Sequence, residues 1–538
     1  MTRSFLTNRR NLLSAAVAAS ALPLITRSAF AQAAAKQRGG TLAIVSWPAP
    51  IYLNAAISTS NAETLICGKM FDGLLDYDVG HVPAPALAER WNISNDGLRM
   101  TFNLRKGVKW HDGKPFTSRD VAVSMMEILK VHHGRGRATF ANLTTVETPD
   151  EHTAVFVLSR PAPAMIKALN AAESPILPAH LYAGTDILAN KANTNPVGTG
   201  AFMLAEYTRG ERLVMKRNPN YWSTGKPYID QLAIRFVADP ATRAAMLEAG
   251  EVDLVASSGI PPTEILRLGA LPKFEITMRG YEISSSLHLM DFNLRHPILS
   301  NQKVRQAFAH LIDTSWVTKN ISFGFGYPAT GPIHQDQADF YTTKGVPSYS
   351  HNPATAEALL DKAGYPRQGG GVRFKLTIDP APSSEELLRV AEYVREQCRQ
   401  VGITINIRTA DVGGFVKRIY TDRDFDISVI SGSAGIDPTI GVHRFYWSKN
   451  IQKGVPYSNG SGYSNPAVDA LLEAAAVEVN PKVRLEQYAK FQQLVMADVP
   501  TLPLVASRRT TLVNRVVKDH TLRAIGPFGT LADVWLDR

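Results

Sequence analysis

The sequence predicts an α/β protein with at least two large lobes. The chain has 538 residues, which is longer than a single hydrophobic core normally supports. Hydrophobic residues make up 45% and charged residues 20%, and this composition is typical of a folded globular protein. Near residue 400, a strand pattern, a helix pattern and a second strand pattern follow one another. This order indicates a β-α-β unit.

The first 31 residues have the features of an export signal that is removed from the mature protein. Arginines precede an apolar stretch at 12–25, which is shorter than the roughly 20 residues of a membrane span. Small residues predict cleavage after Ala31. The Arg9-Arg10 pair resembles a twin-arginine signal, and an ordinary secretory signal with a chance arginine pair is the alternative. No cysteine directly follows the apolar stretch, so we expect a soluble periplasmic protein without a lipid anchor.

Patterns in the first half predict individual elements. Residues 41–45 form a strand-like run, and alternating apolar residues predict another strand at 98–105. An Asp-Gly pair at Asp112 predicts a tight turn. Thr117 followed by Asp120 predicts the start of a helix, because the hydroxyl and the acid three residues later can satisfy free backbone amides.

The β-α-β pattern lies in the second half of the chain. Apolar residues alternate at 374–378 and again at 403–407, and between them they recur at steps of three and four over 387–401. Gly402 predicts the end of that helix. Because the two strands are joined by a helix, we expect them to be parallel. Two more helix starts are predicted by Asn-Pro pairs at Asn352 and Asn465.

The charge distribution argues against nucleic-acid binding. The formal net charge is +10, but four of the arginines lie in the export segment, which has no Asp or Glu. The rest of the chain carries a small positive excess without a basic run, whereas nucleic-acid binders cluster Lys and Arg.

Cysteine and histidine usage predicts neither redox nor metal chemistry. Cys67 and Cys398 are the only cysteines. We expect two buried free thiols, and a single bridge between lobes is the alternative. His132 and His133 are adjacent and would point apart, so we expect a surface or loop pair and no metal site.

Two motifs resemble parts of known active sites. The run Gly324–Ala329 is similar to a dinucleotide-binding loop, but Pro328 lies where a helix should continue and no strand pattern precedes it. Ser223–Lys226 has the spacing of an acyl-transfer motif but lies in a Pro- and Gly-rich stretch, which predicts a turn. We therefore expect no cofactor and no catalytic residues.

A further set of residues suits ligand recognition. Aromatic and charged side chains occur in loops after predicted strands, and ligands of α/β proteins bind at the carboxyl ends of strands. A packing or surface role is the alternative for each of them. The candidates are Trp47, Tyr52, Arg135, Arg137, Tyr327, Arg444 and Trp447.

Several longer motifs resemble extracellular solute-binding protein family 5, the dipeptide, oligopeptide and nickel type of ABC importer subunit. They occur in the family's order and span essentially the whole mature chain. They are Phe71-Asp-Gly-Leu-Leu-Asp-Tyr-Asp78, Pro85-Ala-Leu-Ala-Glu-Arg-Trp91, Leu104-Arg-Lys-Gly-Val-Lys-Trp-His-Asp-Gly-Lys-Pro-Phe116, Asn195-Pro-Val-Gly-Thr-Gly200, Arg217-Asn-Pro-Asn-Tyr-Trp222, Val304-Arg-Gln-Ala307 and Tyr463-Ser-Asn-Pro466.

The resemblance implies a bilobed periplasmic-binding-protein fold, in which two α/β lobes are joined by a hinge and lobe I carries an inserted subdomain. Lobe I would comprise 36–288 and the C-terminal return 509–538, with the insertion at about 84–196. Lobe II would comprise 289–508. The lobes would close around a solute.

The resemblance also suggests a ligand class. In peptide-binding members, an Asp before an Asp-Pro or Glu-Pro pair holds the peptide's α-amino group. Here the pair is Asp437-Pro438, and Asp437 joins the candidate site, while Ala434 occupies the clamp position. Nickel-chelate members hold an anionic chelate with an Arg-rich stretch, and Arg135 and Arg137 lie in a comparable place. We therefore expect a peptide-like or anionic solute such as an opine, a glutathione-like compound or a short acidic peptide.

The implied function is the periplasmic solute-binding subunit of an ABC importer, a monomer that delivers its ligand to permease subunits and is not an enzyme. A sensor or chaperone derived from a binding protein is one alternative. A periplasmic hydrolase is another, although no catalytic constellation supports it.

Overall fold

The computed structural model describes residues 36–538. The predicted export signal at 1–31, including Arg9-Arg10 and the cleavage position after Ala31, lies outside the described residues. Within the described part, no helix is long and apolar enough to cross a membrane.

A mixed seven-stranded sheet, here called the first sheet, combines six strands from residues 41–277 with one from the C-terminal end. The strand predicted at 41–45 is confirmed as Thr41–Ser46, which pairs in parallel with Gln231–Phe236. In spatial order the strands are Phe274–Thr277, Thr511–Asn514, Leu254–Val255, Thr41–Ser46, Gln231–Phe236, Arg212–Arg217 and Phe202–Thr208.

A six-stranded second sheet contains the β-α-β unit. Phe374–Pro380 and Ile403–Ile407 pair in parallel and are joined by the helix Glu385–Gln400, so that prediction is confirmed. Gly402 follows the helix with φ of +81°, a left-handed conformation that ends helices. In spatial order the strands are Gly326–Pro328, Thr501–Ser507, Ser286–Phe292, Ile427–Ser433, Phe374–Pro380 and Ile403–Ile407.

A four-stranded antiparallel third sheet contains the strand predicted at 98–105, observed at Arg99–Leu104. Its inward residues Met100, Phe102 and Leu104 are buried, as the alternation predicts. The strands are, in order, Ala88–Ile93, Arg99–Leu104, Thr153–Leu158 and Leu143–Asp150; two small hairpins pair Leu75–Tyr77 with Pro83–Pro85 and Val517–Lys518 with Trp535–Leu536.

The three helix starts predicted by capping residues are confirmed. The side chains of Asn352 and Asn465 accept hydrogen bonds from backbone amides two or three residues later, and Asp120 Oδ2 accepts one from the Thr117 amide at 2.7 Å. The α-helices are Asn61–Met70, Ser118–Val123, Lys130–His132, Gly136–Thr139, Ala179–Tyr182, Pro240–Ala249, Pro262–Gly269, Gln302–Leu311, Thr314–Asn320, Pro353–Lys362, Glu385–Gln400, Val412–Val416, Pro438–Gly441, His443–Tyr446, Pro466–Val477 and Pro481–Asp498; Ser124–Leu129 and Lys417–Asp422 are π-helical.

Separate hydrophobic cores lie against the sheets. One is shared by the first and third sheets and includes Cys67, and another surrounds the second sheet and includes Cys398. Both cysteines are buried and free, and burial raises the pKa of each thiol. The prediction of two buried free thiols is therefore confirmed, because each thiol packs in a different core.

The chain passes between the first and second sheets twice. One passage leads from Phe274–Thr277 to Ser286–Phe292. The other joins Thr501–Ser507 to Thr511–Asn514 through residues 508–510. These short connections are the covalent links between the two main sheets.

Asp291 is an isolated buried acid in the core of the second sheet, opposite Ser428 and Thr501 on the neighbouring strands. Its Oδ1 atom has no hydrogen-bond partner among the described residues, and burial raises the pKa of its carboxyl group to about 7. The folded protein therefore keeps a proton that the unfolded chain releases. The stability that comes from the protonated Asp291 carboxyl group is complete below the ordinary carboxyl pKa. It is lost as the pH rises through about 7.

We expect Asp291→Asn to stabilise the protein at neutral pH and to remove this pH dependence, which amounts to about 1.4 kcal/mol per pH unit between the two pKa values. Urea denaturation at mildly acidic and neutral pH measures the effect. Asp537→Asn, which alters an exposed carboxylate, is the control and should keep the wild-type profile. If Asp291→Asn kept the wild-type pH dependence of the free energy of unfolding, the raised pKa of Asp291 would not be its cause.

Candidate ligand-binding site

A cavity of about 1110 Å³ lies where segments packed on the first and third sheets face segments packed on the second sheet. Its volume lies slightly above the range of roughly 300–1,000 Å³ that is usual for small-molecule sites, so it suits a solute of short-peptide size. Its walls come from 59–64, 134–173 and 433–477. Its floor, next to the two passages between the sheets, includes Ile283, Ser286, Arg509, Ile525 and Phe528.

One wall is the start of the helix Asn61–Met70. The Ser60 side chain caps the helix by accepting a hydrogen bond from the Ala62 amide at 3.2 Å. Thr64 Oγ1 donates to the Ser60 carbonyl at 2.9 Å. Ser60, Asn61 and Thr64 all line the cavity, so this wall is polar and presents the positive end of a helix.

The opposite wall follows the strand Ile427–Ser433 and consists of the short helices Pro438–Gly441 and His443–Tyr446. Asp437 starts the first of these helices by accepting from the Thr439 amide at 2.9 Å. Behind the wall, Asp437 forms a buried bidentate ion pair with Arg484, in which both N–O distances are 2.7 Å. That pair fixes the loop that carries the cavity wall.

Two ion pairs lie on the cavity wall. Arg135 donates to both carboxylate oxygens of Glu173 at 2.8 and 2.7 Å. Lys449 Nζ and Trp447 Nε1 donate to Glu473 at 2.6 and 3.0 Å, and these hydrogen bonds lower the pKa of Glu473. Both acids that line the cavity are therefore already neutralised by protein cations.

Three other arginines that line the cavity have no carboxylate at ion-pair distance among residues 36–538, although the charge of one of them, Arg160, also lowers the pKa of Glu473: Arg160, Arg444 and Arg509. Arg444 Nε donates to the Tyr457 carbonyl at 2.6 Å, and its guanidinium lies 5.0 Å from the centre of the Phe445 ring. Burial lowers the pKa of Arg444, and the charge of Arg135 lowers it further. The cavity thus carries a positive excess, which favours an anion.

The structure brings together some of the candidates suggested by the sequence. Arg135, Arg444 and Trp447 line the cavity, whereas Asp437 is buried behind its wall. Arg137 is exposed outside the cavity because it follows Arg135 on a short helix and faces away. Trp47, Tyr52 and Tyr327 also lie outside; Trp47 is half exposed, and the Tyr327 ring packs 4.9 Å from the Arg508 guanidinium.

Sequence patterns missed most of the charged lining. Arg160 follows a strand, Glu173 lies in a loop, and Lys449 and Glu473 are separated in sequence although they form one cluster. Arg509 lies in the short connection at 508–510. The position of Arg509 directly between two strands was the only feature of the sequence that could have indicated a role in ligand binding.

His133 and the turn at Ser223–Lys226 both lie outside the cavity lining. The prediction of a surface or loop pair is confirmed for His133 only as to the loop, because His133 directly follows the helix Lys130–His132. It is not at the surface: its ring is buried and accepts a hydrogen bond at Nδ1 from the Gly136 amide at 2.9 Å, and burial lowers its pKa to about 4. The turn predicted at Ser223–Lys226 is confirmed by the Lys226 amide donating to the Ser223 carbonyl at 3.1 Å. No group of metal-ligating side chains occurs in the described part of the chain.

A family model for bacterial extracellular solute-binding proteins, family 5 Middle, matches residues 82–454. The chain belongs to this family. A predicted ABC transporter peptide-binding protein of Brucella ovis is 30% identical over 448 residues, which cover 80% of this chain and 79% of that protein. The oligopeptide-binding protein AppA of Bacillus subtilis is 25% identical over 487 residues, covering 88% and 87%.

The solved structures include the ABC transporter substrate-binding protein CtaP from Listeria monocytogenes. It aligns with a TM-score of 0.80 at 25% identity, covering 93% of this chain and 100% of CtaP. The expected bilobed α/β periplasmic-binding-protein fold is thereby confirmed. So is the expected function: this family 5 protein is a solute-binding subunit of an ABC importer.

Proposed function

We propose that this family 5 protein captures a small, anionic, peptide-like solute in the central cavity and delivers it to membrane permease subunits. The observation that supports this best is the set of three cavity arginines that have no carboxylate at ion-pair distance among the described residues. Arginine pairs with carboxylates through two parallel hydrogen bonds, and such charge-assisted bonds are stronger than neutral ones. An anionic solute would supply the missing partner.

The relatives named as peptide-binding proteins support a peptide-like ligand. The cavity offers little to a free amino group, however, because both lining carboxylates, Glu173 and Glu473, are engaged by protein cations. Ala434 has no charge at the position where peptide-binding members carry an acid. We therefore infer that the anionic end of the solute dominates recognition.

We propose that two lobes close around the solute by rotating about the two passages of the chain between the first and second sheets. Lobe I would be 36–288 with 509–538, including an inserted subdomain at 84–196, and lobe II would be 289–508. A hinge needs only a few residues that absorb the change in backbone angles. We propose that the exported protein, cleaved after Ala31, acts as a periplasmic monomer.

We also propose that the protein carries out no chemistry on its ligand. His443 lines the cavity, but its Nε2 atom lies 2.9 Å from the Tyr488 hydroxyl, and burial lowers its pKa to about 3. It is therefore uncharged and is held by a partner behind the wall. This arrangement suits packing rather than general base catalysis.

Native mass spectrometry of the exported protein, purified without refolding, tests the proposal. We expect a bound compound that leaves on denaturation and that carries at least one carboxylate or phosphate group. A neutral or cationic compound would contradict the preference for anions. Conversion of the released compound by the purified protein would contradict the absence of catalysis.

Arg135 and Arg137 provide a matched pair for a binding test. We expect Arg135→Ala to weaken binding of the released compound by roughly 10- to 100-fold, because it removes a cation and leaves Glu173 unpaired in the cavity. Arg137→Ala should leave affinity unchanged, since that side chain lies outside the cavity. Isothermal titration calorimetry measures the affinity of both variants. Equal affinities for the wild type, Arg135→Ala and Arg137→Ala would exclude an anion site beside Arg135.

A further inference from the structure

The connection at 508–510 holds two consecutive arginines whose side chains go to different partners. Arg508 Nε lies 3.0 Å from both carboxylate oxygens of Asp336, and Ser285 Oγ donates to the same carboxylate at 2.7 Å. The charge of Arg508 is thus fully compensated within the protein. Its neighbour has a different environment.

Arg509 lines the floor of the cavity and makes one side-chain hydrogen bond in the described structure, from Nη1 to Ser257 Oγ at 2.8 Å. No carboxylate of residues 36–538 lies within ion-pair distance of it. Burial lowers the pKa of its guanidinium group. Arg509 is partly buried, and because a partly desolvated charge without a counter-ion is costly, an anion supplied by a ligand would stabilise this arrangement.

The backbone that holds Arg509 is itself unusual. Ser257 and Ser258 both have left-handed conformations, with φ of +59° and +55°, which are uncommon for residues other than glycine. Surrounding contacts maintain them: the Ser257 amide donates to the Tyr281 hydroxyl at 2.7 Å, and the Thr510 amide donates to Ser258 Oγ at 3.0 Å. Strained backbone of this kind concentrates at ligand-binding sites.

The floor around Arg509 also offers hydroxyl groups and apolar surface. Ser286 and Ser433 are paired directly across neighbouring strands and both line the cavity. Ile283 and Phe528 add apolar surface beside them. A carboxylate on the guanidinium would therefore sit in a partly desolvated place, where an ion pair is stronger than at an open surface.

We propose that Arg509 is the principal anion anchor of the cavity and binds a carboxylate group of the solute at its floor. This inference rests on the proposed capture of an anionic solute and adds the residue that selects for it. Arg509 makes the site discriminate a carboxylate from the corresponding uncharged amide. The adjacent Arg508 does not bind the carboxylate of the solute, because its guanidinium group is already paired with Asp336.

The test compares glutarate with its uncharged diamide, glutaramide, as probes at tens of millimolar and equal ionic strength. Thermal unfolding is measured for the wild type, Arg509→Gln, Arg509→Lys and Arg212→Gln. The last variant removes an equal charge from an exposed pair with Glu206. We expect glutarate but not glutaramide to raise the Tm of the wild type and of Arg212→Gln, Arg509→Gln to lose most of that rise, and Arg509→Lys to keep part of it.

The probe-free proteins give a second readout. Removing an uncompensated, partly buried charge should leave the Tm of Arg509→Gln equal to or above that of the wild type. A lower Tm would make Arg509 a structural part of the hinge and overturn the inference. A full glutarate response in Arg509→Gln would also overturn it while leaving an anion-binding cavity in place, whereas a wild type without any response would contradict the proposed anionic ligand itself.

Discussion

Replacing Arg484 with methionine is expected to destabilise the protein by roughly 3–5 kcal/mol, because it leaves the Asp437 carboxylate buried without a counter-ion. Arg484 donates to both oxygens of Asp437 at 2.7 Å and to the Ala475 carbonyl at 2.8 Å. Burial is the largest single effect and raises the pKa of Asp437, but the charge of Arg484 together with the hydrogen bonds from Arg484 and Thr439 outweighs it and lowers that pKa. The stability from this pair is therefore present above the ordinary carboxyl pKa and is lost as the pH falls below it.

Urea denaturation at neutral pH measures the loss. The control is Arg267→Met, because Arg267 also forms a bidentate ion pair, with Glu248 at 3.0 and 2.7 Å, but on an exposed surface. Exposed pairs contribute little because water and salt screen them, so this variant should unfold almost like the wild type. Similar losses in the two variants would show that burial does not determine the value of the Asp437 pair.

The second large effect is expected at Gly441, in the cavity wall. A Cβ atom there would lie 1.9 Å from the Ala434 carbonyl oxygen and 2.6 Å from the Gly435 nitrogen. Both obstructing atoms belong to the backbone, so the loop has to move rather than a flexible side chain. We expect Gly441→Ala to cost about 1–3 kcal/mol of stability and to weaken ligand binding, since Ser433, Gly435 and Ile436 line the cavity.

Thermal unfolding and calorimetric titration with the compound released from the native protein check both effects. Gly369→Ala is the matched control, because a Cβ at that glycine meets no atom within 4 Å. It should leave both stability and affinity unchanged. Wild-type affinity in Gly441→Ala would mean that the 433–441 loop is not part of the binding surface.

Much of the fold could be predicted from local patterns. The parallel pair 374–380 and 403–407 followed from alternation, helix spacing and Gly402, because backbone period and helix termination depend on residues near in sequence. The same holds for the helices that begin after Asn352 and Asn465. Burial depends on the surroundings in space rather than on a local pattern, and the sequence did not indicate that His133, a loop residue, is buried.

The candidate site could be predicted only in part. Arg135, Arg444 and Trp447 were identified and line the cavity, whereas Asp437 proved to be the support behind its wall. Arg137 is two residues from Arg135, yet a short helix directs it away. The direction of a side chain depends on how its helix packs, and the sequence does not contain that information.

By itself, the sequence determined the family, the α/β class and the order of the main elements, because each depends on motifs or periodicities within short stretches of chain. Only the tertiary structure decided which charges are compensated. The partners of Arg508, Arg135 and Lys449 lie 172, 38 and 24 residues away along the chain. Arg509 lacks such a carboxylate partner in the described structure, and that difference between adjacent arginines arises because ion pairing depends on distance in space.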